Sequence, residues 1–219
     1  LRGSRTTPRA ARSDHAGWSQ GIGIRRVMVT LLHQQDCRSC PALVASRRRI
    51  VHGYGDTASG IVFIGEAPGR HGADQTGIPF WGDRSGRMLR RILVQVGLAS
   101  DETAGATLRC FITNVVRCCP PGNRTPAPAE VRACRTWLRM ELDMIKPRLI
   151  IPVGRIALQE VGMRYLKHDP GAIRRVHATV LRSRHVTILP LIHPARISRA
   201  NVQAFITAVQ PLIDERNEP

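Results

Sequence analysis

Apolar positions along the chain follow two patterns. Four short runs, IVFIG (61–65), CFITNVV (110–116), RLIIPVG (148–154) and VTILPLI (186–192), are almost continuously apolar, rich in β-branched side chains and bounded by turn residues. A strand with one wet face alternates polar and apolar positions, so runs without alternation predict strands buried on both faces of a parallel sheet. Between the runs the period changes. Met88, Leu89, Ile92, Leu93 and Val96 recur at helical spacing within 83–98 and give way to Gly97, a residue suited to the left-handed turn that ends a helix. Val131, Cys134, Leu138 and Leu142 mark one side of a second helix across 127–145, which stops before Lys146 and Pro147. A third helix is expected to begin at Gly154 and a last one to fill 197–214. The stretch 171–192 predicts a β-hairpin whose second strand enters the sheet.

Strand and helix in alternation imply right-handed crossovers, hence an α/β fold: a three-layer α/β/α sandwich around a central, mostly parallel four-stranded sheet. A length of 219 residues fits one domain. It is placed at 24–219, because residues 1–23 are basic, polar and aperiodic and read as a disordered tail. In sheets of this kind chemistry gathers at the carboxyl ends of the strands. Those ends are GEAPG (65–69), TNVV (113–116), PVGRIA (152–157) and HPARIS (193–198).

Charge narrows the partners. Lys and Arg number 33 against 16 Asp and Glu, a net +17, and the excess is mostly arginine. The planar guanidinium fork suits phosphate, which makes nucleic acid the first partner to consider, beside the plainer reading of a solvated basic surface. No run approaches the roughly 18 apolar residues of a membrane span, and the N-terminal stretch lacks the roughly 7 to 15 apolar residues of a secretory signal. The expectation is a cytoplasmic protein that does not enter membranes.

Six cysteines in such a chain do not read as a disulfide framework. CRSCP sets Cys37 and Cys40 two residues apart, ahead of the first sheet strand, where thioredoxin-type redox chemistry does not place its pair. Cys118 and Cys134 bracket a proline-rich loop that leads into a helix. Four thiolates from these two segments suit one metal centre, either zinc or a four-iron four-sulfur cluster, and spacing does not choose between them. Cys110 opens a buried strand and reads as a core residue, while Cys119 competes with Cys118 for the ligand position.

Taken together, GEAPG, TGIPFWG, ITNVVRCCPPGNRTP, the cysteine sixteen residues after Cys118 and the late HPAR resemble the iron-sulfur uracil-DNA glycosylases, families 4 and 5 of their superfamily. The likeness covers roughly residues 30–210 in the family's order. It implies a structural 4Fe-4S cluster on Cys37, Cys40, Cys118 and Cys134. It also implies a monomeric enzyme that excises uracil from DNA in base excision repair. GADQTG and GDRSG lie closer to family 5 and GEAPG and TNVVRC closer to family 4, which leaves substrate breadth open. PPGNRTPAP holds no histidine and no inserted basic loop, so turnover is expected, not a covalent adduct with DNA.

Such an enzyme takes the base out of the stack and breaks the bond from C1′ to N1, while positive charge grows on the sugar and negative charge on the departing base. Phe80 supplies an aromatic face, worth about 1 to 3 kcal/mol per stacked base. The Asn114 amide offers a donor and an acceptor that match O4 and N3–H of uracil. In the family's pattern these positions grip the base; on the residues alone a core aromatic and a turn-capping amide fit as well. His193 and backbone N–H groups of the 65–69 turn, Gly65 and Ala67 among them, are assigned to the developing negative charge. Glu66 is assigned to orienting the attacking water. Arg196 and Ile197 form a candidate wedge into the duplex, and Arg84, Arg87 and Arg124 are candidate phosphate contacts. No lysine lies in the strand-end motifs, so strand cleavage through a Schiff base is not expected. The rivals are a glycosylase acting also on other deaminated bases and a noncatalytic, metal-stapled protein that binds DNA or abasic sites.

Overall fold

The structure, a computed structural model, describes residues 36–215. The expected tail at 1–23 lies outside the described residues. The helices are α1 (Pro41–Ser46), α2 (Ala73–Thr76), α3 (Arg84–Gln95), α4 (Pro128–Ile145), α5 (Arg155–Tyr165), α6 (Ile173–Val176) and α7 (Arg199–Asp214). The strands are β1 (Tyr54–Gly55), β2 (Ile61–Gly65), β3 (Phe111–Asn114), β4 (Leu149–Pro152), β5 (Leu181–Arg182) and β6 (Thr187–Ile188).

They form one sheet in the order β1-β3-β2-β4-β6-β5. The four apolar runs are its parallel centre, β3-β2-β4-β6. The sheet is six-stranded, not four-stranded, because two-residue strands pair antiparallel at each edge. The predicted hairpin is the β5–β6 pair, closed by the Ser183 N–H donating to Val186 O at 3.0 Å.

Both faces of the centre are buried, which accounts for the missing alternation. Ile61, Phe63, Ile112, Leu149 and Ile151 pack with Leu89, Ile92 and Leu93 of α3 and Phe205 and Val209 of α7. Their neighbours Val62, Ile64, Phe111 and Ile150 point the other way, against Leu138 and Leu142 of α4, Ala157 and Val161 of α5 and Leu43 of α1. Successive side chains of a strand lie on opposite faces, so each run fills two cores and the three layers follow.

The helix limits have local causes. Asp83 caps α3 by accepting the Gly86 N–H at 2.8 Å. Gly97 carries the helix exit at φ 71°. Glu130 in the first turn of α4 accepts the Ala127 N–H at 2.7 Å, and Ser198 caps α7 by accepting the Asn201 N–H at 3.2 Å. Beneath the tip of β3, the buried Arg117 pairs with buried Glu141, and the Thr113 hydroxyl donates to the same carboxylate at 2.9 Å. No helix among the described residues is long and apolar enough to cross a membrane.

Candidate active site

A cavity of about 600 Å³ opens at the carboxyl rim of the sheet. Each parallel strand delivers residues to it: Glu66 and Ala67 follow β2, Asn114 ends β3, Gly154 and Arg155 follow β4, and Ile192 and His193 follow β6. Phe80 closes one side from the loop between α2 and α3. Glu66, Ala67, Phe80, Asn114 and His193 thus line one space although the first and last lie 127 positions apart in sequence.

The β2–β3 register fixes the grip. Gly65 pairs with Asn114, and the Val115 N–H donates to Gly65 O at 2.9 Å. Gly65 itself does not line the cavity; it is the floor on which the aromatic ring and the amide meet. A Cβ there would lie 2.5 Å from Phe80 Cε2 and closer still to Asn114 Oδ1, so only glycine lets both approach. Phe80 takes φ 51°, a left-handed conformation uncommon for an aromatic residue, and its ring lies 6.3 Å from the His193 ring, tilted by 38°.

Burial holds the His193 imidazole below its ordinary pKa of 6.5, with Asp83 pulling it up and Arg196 pushing it further down. The ring is therefore neutral at pH 7. Its Nδ1 accepts the Ala195 N–H at 3.4 Å, which leaves the proton on Nε2. Burial raises the Glu66 carboxyl above its ordinary 4.5, against a hydrogen bond from Thr125 and the charge of Arg196. A neutral donor and a partly desolvated carboxylate share the cavity.

The two cysteine segments meet. Burial is the main cause that pushes Cys40 up to about 11, and the next causes are the neighbouring Cys134, Cys37 and Cys118. Cys40, Cys118 and Cys134 sit in the apolar layer that holds Leu43, and Arg47 Nη1 donates to Cys118 Sγ at 3.3 Å. Cys119 turns away, with its sulfur beside Pro120 O at 3.6 Å and its charged neighbours Asp74 and Arg70, so Cys118 is the member of the pair that faces the other three. Cys110 is a core residue, pushed up to about 12 by burial. Among the described residues no group of three or more His, Cys, Asp or Glu is arranged to hold a metal ion.

The expected DNA contacts divide. Arg124 and Arg196 line the cavity, whereas Arg84 and Arg87 are exposed on the first turn of α3, outside it. The Arg124 fork is committed: it donates to both Glu130 oxygens at 2.8 and 2.7 Å, which leaves less charge for phosphate than its sequence position suggests. Ile197 is half-buried against the core that packs α3 and α7, so Arg196 is the exposed member of the proposed wedge. Among the lining residues not singled out from the sequence are Thr125, Asp83 and Arg155. Thr125 lies in a proline-rich loop with no motif to mark it. Asp83 reads as a helix cap, and Arg155 stood inside the PVGRIA strand end without being singled out.

The profile of the family described as "Uracil DNA glycosylase superfamily" matches residues 52–213. Among curated proteins, the type-5 uracil-DNA glycosylase of Thermus thermophilus is 38% identical over 60% of this chain and 72% of its own length. The type-4 uracil-DNA glycosylase of Archaeoglobus fulgidus is 34% identical over 74% of this chain and 77% of its own. For the type-5 uracil-DNA glycosylase of Pyrobaculum aerophilum the values are 30%, 74% and 80%. With the match spanning the sheet, the rim cavity and the helices that enclose them, the chain belongs to the uracil-DNA glycosylase superfamily.

Proposed function

We propose that this protein hydrolyses the N-glycosidic bond of uracil in DNA, as a monomer, and leaves an abasic site. One observation carries the reading: a stacking face, an amide, a neutral imidazole and a carboxylate line a single cavity at the strand tips. The flipped base stacks on Phe80 and pairs its O4 and N3–H with the Asn114 amide. His193 then donates Nε2–H to O2 of the base. A fixed donor gains strength as the base becomes an anion, so it lowers the barrier more than it tightens ground-state binding. Backbone N–H groups of the 65–69 turn act on the same charge. Glu66 holds the attacking water with its carboxylate and favours the cationic sugar. The chain's two lysines, Lys146 and Lys167, are absent from the cavity lining, which supports base removal without strand cleavage.

Cys37, Cys40, Cys118 and Cys134 are proposed to hold a 4Fe-4S cluster. A set of four soft thiolates suits it, and when bound it joins the 37–40 segment to α4 and the exit of β3 as a structural staple. Single-turnover release of free uracil from a uracil-containing oligonucleotide tests the function. Asn114→Ala is expected to slow release at least about tenfold with the fold retained. A wild-type protein that binds DNA and releases no base would establish the noncatalytic rival instead. An oligonucleotide containing hypoxanthine reads substrate breadth.

A further inference from the structure

We infer that residues 47–49 form a second phosphate-binding surface, which holds the DNA strand leading away from the base cavity. The inference rests on the DNA reading above and names a surface that reading does not use. Arg47, Arg48, Arg49, Ile50 and His52 line their own open cavity of about 380 Å³, separate from the one at the strand tips. Arg48 and Arg49 are exposed, and among the described residues neither forms an ion pair, whereas Arg91, Arg117, Arg124, Arg135, Arg155 and Arg164 each face an acid. The nearby Asp74 is buried and accepts the backbone N–H of Arg48 at 3.0 Å, so this contact leaves the Arg48 guanidinium unused.

The strip is fixed to the active-site rim from two sides. The Val51 N–H donates to Arg117 O at 2.8 Å and Arg47 reaches Cys118, which ties it to the segment that leaves β3 just after Asn114. On the other side Arg49 runs along Gly77, where an added Cβ would lie 3.4 Å from its Cδ, and Gly77 follows α2, whose Ala73 lines the base cavity. Arg70 lies between the two cavities, touching Asn123 on one side and Ser46, the neighbour of Arg47, on the other. Its Nη2 donates to Ser46 Oγ at 3.4 Å, and its backbone N–H donates to Oδ1 of Asn123, a lining residue, at 3.0 Å. A track of guanidinium groups therefore runs from the mouth past exposed Arg70 to Arg48 and Arg49. The cavity at 47–52 is open to solvent, as a polyanionic strand requires, and arginine forks match phosphodiester oxygens.

The test is the salt dependence of binding to a uracil-free duplex oligonucleotide, measured on the full chain. Each phosphate contact contributes about −0.9 to the slope of log K against log salt. Arg48→Gln with Arg49→Gln should make that slope shallower by about 1 to 2. The control removes two charges elsewhere: Arg182→Gln with Arg184→Gln, on the hairpin at the amino end of β6 and thus the opposite rim, should leave the slope unchanged. An unaltered slope in the first variant, or an equal loss in the control, overturns the inference. The two readings fail separately. A wild-type protein that releases no uracil but shows the slope change loses the enzyme and keeps the surface; normal uracil release with an unaltered slope does the reverse.

Discussion

Replacing His193 by alanine removes the donor proposed to act on the leaving base. The imidazole is neutral because burial outweighs the pull of Asp83, and its Nδ1 is engaged by the Ala195 N–H. What the substitution deletes is one N–H aimed into a cavity, with little effect on folding, since Ala195 is exposed and its N–H can bond water instead. Loss of a single donor to a developing anion typically costs about 100 to 1000-fold in rate, or about 2.7 to 4 kcal/mol. Single-turnover uracil release with enzyme in excess measures it without product release intervening. The pH profile supplies the sign. The second proton goes on Nδ1, which then meets the Ala195 N–H instead of accepting from it, so the ring loses the contact that orients Nε2–H; the lowered pKa places that change below 6.5, and the rate should fall as pH drops through that region. Glu66 must be ionised to hold water, and its raised pKa adds a second fall on the same side, above 4.5. Glu66→Gln removes the second and leaves the first. A rate that rises as pH falls would mean that imidazolium is the donor, and His193→Ala within about threefold of wild type would remove the residue from the mechanism.

Gly65→Ala should abolish most uracil release with the core intact, because its Cβ would drive the Phe80 ring and the Asn114 amide apart; release within about threefold of wild type, alongside unchanged thermal melting, would refute the shared floor. Iron and sulfide analysis should find a brown protein with four iron atoms per chain as about the upper limit. Cys118→Ser should lose metal and Cys119→Ser should keep it, and stoichiometric zinc without iron would overturn the cluster. Glu141→Ala leaves buried Arg117 without its carboxylate and should destabilise the fold by about 3 to 5 kcal/mol in urea unfolding, since an unpaired buried charge costs more than the pair contributes.

Much of this architecture was legible because burial on two sides writes itself into a strand as an unbroken apolar run. The edge strands left no such mark, and of the two only Leu181–Arg182 falls in an element the sequence predicted, the hairpin at 171–192. Tyr54–Gly55 and Leu181–Arg182 are two residues each, half-wet, and held by pairing with β3 and β6 more than by their own preference. Short α1, α2 and α6 escaped for a related reason: four to six residues do not complete enough turns to show a period. Within the cavity, Glu66, Asn114 and His193 were found because a parallel sheet sends its strand tips to one rim. Thr125 acts on Glu66 across 59 positions, through a loop in which Arg124 pairs with Glu130, and no local signal encodes that path. The same pair was equally hidden: a charged residue six positions from an acid at a helix start can turn along its own chain, as the Arg124 fork does toward Glu130.

The placement of Phe80 joins these levels. A left-handed aromatic costs about 1 to 3 kcal/mol and persists only where its surroundings determine it. Here they do so from three directions. Gly86 brings the amino end of α3 against the Phe80 carbonyl, where any larger residue would collide, and Asp83, the cap of that helix, lies against Gly69 and Gly72, with an added Cβ at Gly72 falling 2.7 Å from its carboxylate. Gly65 then admits the ring to the sheet itself. Helix cap, glycine turns and strand tip converge on one residue, so the ring is ordered before any base arrives. In the proposed function, a stacking face already in position avoids the ordering cost that a mobile side chain would add to binding, and it would set the base beside Asn114 and His193. The proposed polar grip and charge stabilisation both require that alignment, so on this reading the glycines beneath the slot are as necessary to the chemistry as the groups that would touch the base.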